Sequence, residues 1–428
     1  MFTANNTSLV KNTTHKVVIP FYVYAAVAFL TSTILLSFST SAFTTHYFHP
    51  RTLAITHTMA LGWGTMIILG ASHQLVPVLI EARLYSNLLA YLSFVLAGIG
   101  IPMLVYAFFT FRFDAIALSG AVLINAAIVC YLLNLGLSIT KGKKENVHAV
   151  YVFTAAVWLL ATTIIGMLLV FNFTYSIFPN GSLHYLSLHA HLGIAGWFLL
   201  LVIGVGSRLI PMFLISKYDA PKKLWSIYFL INGALASFIF IFLFSSYSFL
   251  NIIPITALFL ALILFAQYCH KAYGQRLRKK VDEQLKISLL SVLMMVVPLF
   301  ILVLIIGMML FSFAHSSLVL AYGFFIFFGW ITAIIFGMTF KTLPFIVWNK
   351  LYHNKAGSGK TPNPKDLFSS TLFNAMSLFY LAGLLLFITG IFMKNNIVLQ
   401  SATFLLIATA VLYNWNILKM LLQKPLMQ

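Results

Sequence analysis

Apolar residues run along this chain in twelve continuous stretches, each about twenty residues or longer. Short polar segments separate them. The stretches fall near 17–40, 53–80, 86–110, 115–139, 148–171, 185–214, 223–247, 251–270, 287–311, 316–346, 367–391 and 397–419. A strand of a membrane barrel alternates apolar and polar residues; these runs do not alternate, so they predict helices. In lipid a helix satisfies its backbone internally, which makes such runs membrane spans. The expected fold is an all-α integral membrane protein of twelve transmembrane helices, forming a single membrane domain over 1–428.

Composition agrees. Of 428 residues, 61% are hydrophobic and 8% charged, and the mean hydropathy is +0.99. A water-soluble domain carries about 25% charged residues. The net charge of +19, with only seven acidic residues, would suggest nucleic acid in a soluble protein. Here the basic residues sit in short loops, so the bilayer is the expected partner and nucleic acid is not. One set of loops holds Lys11, Lys16, Lys141, Lys143, Lys144, Lys217, Lys222, Lys223, the run from Lys271 to Lys286, Lys350, Lys355, Lys360, Lys365 and Lys424. The alternate set holds little beyond Arg51, Arg112 and Lys394. The positive-inside rule then places both termini in the cytoplasm. The polar N-terminus lacks a signal-peptide pattern, so the first span is expected to be retained. Cys130 and Cys269 lie in separate apolar runs with no metal or redox spacing. Gly-Ser-Gly-Lys-Thr at 357–361 lacks the full phosphate-loop spacing and reads as a linker.

A longer pattern overlies the spans. Span two carries Gly62, Trp63, Gly70 and Pro77; span six carries Gly196, Trp197, Gly204 and Pro211; span ten carries Gly329, Trp330, Gly337 and Pro344. In each, Gly follows Trp by seven residues and Pro by fourteen, and the tryptophans are 134 and 133 residues apart. That interval equals four spans. The chain therefore reads as three pseudo-symmetric units of four helices, near 17–139, 148–270 and 287–419, unlike transporters that repeat in halves of six.

Ionisable residues inside spans suggest function. Glu81, Asp114, Glu145, Asp219, Asp282, Glu283 and Asp366 all fall at or near loops. The histidines differ. His57 and His191 each stand six residues before the repeated Trp, and His189 lies two residues before His191. Equal depth on adjacent inner helices predicts that His57 and His191 face each other across one gap, as two axial imidazoles of a haem iron would. At 100° per residue His189 points about 200° away from His191, into a neighbouring pocket. His46, His49, His184 and His315 read as interfacial, His73 as a polar contact near the inner face, and His15, His148, His270 and His353 carry no assigned role.

The string SLHAHLGIAGWFLLLVIGVGSRLIP at 187–211 resembles the two-histidine helix of haem–copper oxidase subunit I and its nitric oxide reductase relatives, and THTMALGWGTMIILGASHQLVPVL at 56–79 resembles their low-spin-haem helix. The resemblance covers the twelve-helix, three-unit topology, with specific motifs over about fifty residues. It implies a low-spin haem b held by His57 and His191, and a second haem or a copper at His189. It also implies that Arg51 and Arg112 pair with haem propionates. It implies electron transfer, or binding or reduction of nitric oxide or oxygen, in a multi-pass protein of the cell inner (plasma) membrane, with cytochrome c or quinol as donor and respiratory-complex subunits as partners. This chain departs from that pattern. The two-histidine helix is the sixth rather than the tenth, Phe324 and Tyr322 stand in span ten where the repeat aligns histidines, and span seven has no histidine pair for copper. Oxygen reduction with proton pumping is therefore not expected. A transporter or channel, or a non-catalytic assembly subunit, are the alternative readings.

Overall fold

The structure, a computed structural model, describes residues 13–142, 146–245, 247–277, 279–313, 316–352 and 361–425. His315, His353, Lys11, Lys143, Lys144, Glu145, Lys355, Lys360 and most of the Gly-Ser-Gly-Lys-Thr stretch lie outside these residues. Twelve helices are long and apolar enough to cross a membrane: α1 His15–Ser37, α2 Pro50–Leu79, α3 Asn87–Thr110, α4 Ala115–Ile139, α5 Val147–Tyr175, α6 Leu186–Leu214, α7 Pro221–Phe244, α8 Ser248–Gly274, α9 Glu283–Leu310, α10 Ser316–Tyr352, α11 Ser370–Met393 and α12 Asn396–Leu421. Among the described residues the only extended pairing is an isolated bridge between Ser216 and Arg276. The protein is an all-α, multi-pass membrane protein.

Local chemistry sets many of the helix starts. Ser86, Asp114, Asn146, Asp282, Ser369 and Asn395 each accept a hydrogen bond from a first-turn N–H of the adjoining helix. Such caps satisfy amides that the helix itself leaves without partners. At α2 the cap is His49, whose Nδ1 accepts from the Arg51 N–H at 3.2 Å, with Pro50 in the first turn where its missing N–H costs nothing.

Three helices form the interior. The most apolar windows of α2, α6 and α10 are 78%, 72% and 67% buried, against 50% or less for the other nine. A Cβ on Gly70 would stand 2.6 Å from the Phe21 Cβ of α1, and one on Gly204 against Tyr151 of α5 or on Gly337 against Ser288 of α9 would be closer still. Each inner helix thus rests backbone-close on the helix that precedes it in the chain, the use small residues serve in membranes. The pairs α3–α4, α7–α8 and α11–α12 pack as neighbours outside them, and α12 packs back on α1, where Asn414 donates to the Ala26 carbonyl at 2.9 Å. Large apolar side chains such as Phe240, Phe244, Leu378 and Phe404 point outward, more than 60% exposed. Such surface is stable in contact with hydrocarbon.

Each inner helix also contains a π-helical stretch: Thr58–Thr65, Leu192–Leu199 and Phe325–Ile331. They begin directly after His57, His191 and Phe324 and contain the Gly-Trp pairs. A π turn widens the helix and shifts the register of the residues beyond it, and it recurs at functional positions.

Candidate functional site

His57 closes the α-helical first part of α2, and its Nδ1 meets the Leu53 carbonyl at 2.8 Å. His189 lies in the first turns of α6, and its Nδ1 meets the Thr162 carbonyl of α5 at 3.1 Å. A carbonyl only accepts, so Nδ1 carries the proton in both rings and Nε2 presents a lone pair. Among the described residues neither Nε2 has a hydrogen-bond partner. The two ring centres lie 6.2 Å apart with an interplanar angle of 16°, and Phe108 stacks on His57 at 4.3 Å.

Both rings line one cavity of about 140 Å³, walled by α2 to α6, with Phe327 of α10 also contributing to the lining. It continues inward to Thr65, Asn125, Leu159 and Trp197. A second, smaller void continues it outward past Gly166 to Phe48, Phe173 and Ser182. From Leu159 to Phe173 along α5 is fourteen residues, a slot of about 21 Å along the helix axis. The walls are almost wholly apolar. Asn125 contributes an amide whose NH₂ is committed to the Ala121 and Thr163 carbonyls, both at 3.0 Å.

The pairing differs from the sequence expectation. His57 faces His189, and His191 does not line the cavity. The His191 ring lies against Tyr322 of α10, ring centres 5.9 Å apart, and against Phe238 of α7 at 5.3 Å. Its Nδ1 meets the Ser187 carbonyl at 2.7 Å, and its Nε2 is buried without a partner. The two α6 histidines do face different neighbours, but it is His189 that turns toward α2. Where α10 has Phe324, the space is filled by rings: Phe328 and Phe387 stack on it at 4.6 and 4.1 Å, and Phe43 packs edge-on at 6.3 Å.

The two arginines are not at the cavity either. The Arg51 guanidinium donates to the Phe38 carbonyl at 2.9 Å and lies 5.7 Å over the Phe109 ring. Arg112 is exposed. Neither lines the slot; their helix-end positions direct them to the surface. Among the described residues no three His, Cys, Asp or Glu side chains converge, so these residues offer no protein-only centre for the copper expected at His189. His73 is buried between Phe21 and Tyr131, away from the slot.

Several features escaped the sequence reading. Lys341, inside α10 and 8% exposed, pairs with Asp282 at the start of α9; a lysine eleven residues past Trp330 in an apolar span was the available signal. Phe108, Thr162 and Gly166 come from outer helices with no polar signature. No family model matches the chain, and no curated protein matches it.

Proposed function

We propose that this protein is a haem-binding electron carrier of the membrane, with His57 and His189 as the two axial ligands. The separation of the two imidazoles carries this reading. A metal–imidazole bond is about 2.0–2.1 Å; with each Nε2 on the line between the ring centres, two such bonds would leave about 1 Å at each end of the 6.2 Å. That remainder matches the distance from an imidazole centre to its own nitrogen. Two lone pairs without further protein donors would not complete a tetrahedral metal site, but His57 and His189 could hold an iron that draws its remaining ligands from a porphyrin. The long apolar slot straddling the pair suits a flat macrocycle standing along the helices.

When bound, haem supplies reversible one-electron chemistry. The chain supplies the setting. The Leu53 and Thr162 carbonyls hold each Nδ1–H, which fixes the tautomer, orients the ring and raises the basicity of Nε2. Apolar walls exclude water and favour the less charged iron state. With His57 and His189 both holding it, a haem here would supply electron transfer rather than binding of nitric oxide or oxygen.

The wider architecture belongs to the same proposal. Three four-helix units follow one another cyclically about α2, α6 and α10. His57 with His189 and His191 with Tyr322 are then one relationship repeated 134 and 133 residues later. The basic loops support cytoplasmic termini, and the inner membrane of the cell is the location this reading carries. The test is an absorption spectrum with iron analysis of the purified protein. One haem per chain with a low-spin bis-imidazole spectrum is expected; a colourless, iron-free protein made with haem in ample supply would reject the reading.

A further inference from the structure

The two facing histidines are held differently. His57 takes its carbonyl from its own helix, four residues back, whereas His189 takes one from a neighbouring helix, Thr162 of α5. One turn further along α5 stands Gly166. A Cβ built there would lie 2.8 Å from His189 Cε1, 3.4 Å from its Nδ1 and 3.6 Å from its Nε2, so the three nearest atoms all belong to that one ring. A contact of 2.8 Å forces a shift. The ring cannot retreat without lengthening its bond to the Thr162 carbonyl or turning out of its near-parallel relation to His57.

We propose that Gly166 is a positioning residue: its missing side chain lets the His189 imidazole lie on the α5 backbone, with Nδ1 at the Thr162 carbonyl and the ring facing His57. For the ligand role of His189 this rests on the haem reading above; the Gly166–His189 coupling itself does not. Orientation within a fraction of an ångström matters for ligation, so α5, which carries no ligand, sets the geometry of one.

The test combines a spectrum with a double-mutant cycle in thermal stability. Gly166→Ala is expected to convert the low-spin spectrum to high-spin and to lower the melting temperature. In a His189→Ala background the ring is gone. There the same substitution is expected to be neutral or stabilising, because alanine is the better helix former. Gly233→Ala on α7, where a Cβ would meet nothing within 4 Å, should leave the spectrum unchanged. An unaltered spectrum in Gly166→Ala, or an equal loss of stability in both backgrounds, would overturn the proposal. So would failure of the Gly166→Ala/His189→Ala double variant to fold where His189→Ala folds. A wild-type protein without haem would instead overturn the functional reading, and the stability cycle would still decide the coupling.

Discussion

The Trp197 indole donates to the Thr65 hydroxyl at 3.0 Å. The Trp63 indole makes the corresponding bond to Thr332 at 3.1 Å. Each acceptor lies two residues after the tryptophan of another inner helix, so the bonds run from α6 to α2 and from α2 to α10. The third bond, from Trp330 to the residue two after Trp197, would need an acceptor where the chain has Leu199. The Trp330 Nε1 is buried without a partner.

The asymmetry predicts an order of stabilities. Trp63→Phe and Trp197→Phe each lose a hydrogen bond worth about 1 kcal/mol, while Trp330→Phe removes an unpaired N–H whose burial costs about 1–3 kcal/mol. Thermal melts in detergent should rank Trp330→Phe as the least damaging of the three. Equal losses would mean that Trp330 has a partner in the folded protein.

Phe108 stacks on the His57 ring. Phe108→Leu keeps apolar volume but loses ring stacking worth about 1 kcal/mol, which predicts roughly five-fold faster haem loss to an acceptor protein. An unchanged loss rate would remove Phe108 from the account.

The charge pattern predicts sidedness. In a background lacking Cys130 and Cys269, Lys280→Cys should react with an impermeant thiol reagent only after the cells are opened, and Lys394→Cys should react in intact cells. Both positions are exposed. The reverse labelling would invert the proposed topology.

His49 predicts a pH effect at the start of α2. Burial, and then the neighbouring Arg51 charge, hold its imidazole below the ordinary 6.5. The folded protein thus favours the neutral ring that caps Arg51, and the unfolded chain takes up the proton first as pH falls. The contribution of this group is complete above about 6.5 and is lost as pH falls below it. His49→Asn keeps a capping acceptor that does not titrate. The fall in melting temperature between about pH 7.5 and about pH 5.5 should be smaller in that variant than in wild type. Equal falls would show that His49 does not contribute.

Much of the fold was legible because lipid leaves few choices. Continuous apolar runs had to be helices, and the expected spans match the twelve helices, differing mainly at ends such as Tyr352, six residues past the expected limit of span ten. The repeated Gly-Trp-Gly-Pro pattern correctly singled out α2, α6 and α10 as inner helices. The pairing was not legible from equal depth alone. In a cyclic arrangement a rotation carries each side chain to the same face of the next unit. In the cyclic arrangement proposed above, equivalent residues such as His57 and His191 would therefore point the same way round the ring without meeting. His57 meets the residue standing opposite, His189, and His191 meets the counterpart of that residue, Tyr322. Nor could Gly166 or the Thr162 carbonyl be read from sequence, since a glycine and a backbone oxygen on an outer helix carry no local signature of the ring they receive.

Three single substitutions, compared in one spectrum, decide which histidines hold the haem. His57→Ala and His189→Ala should each abolish the low-spin bis-imidazole bands, and His191→Ala should leave them intact, because its ring lies against Tyr322 and outside the slot. Low-spin bands that survive His189→Ala and vanish in His191→Ala would contradict the account.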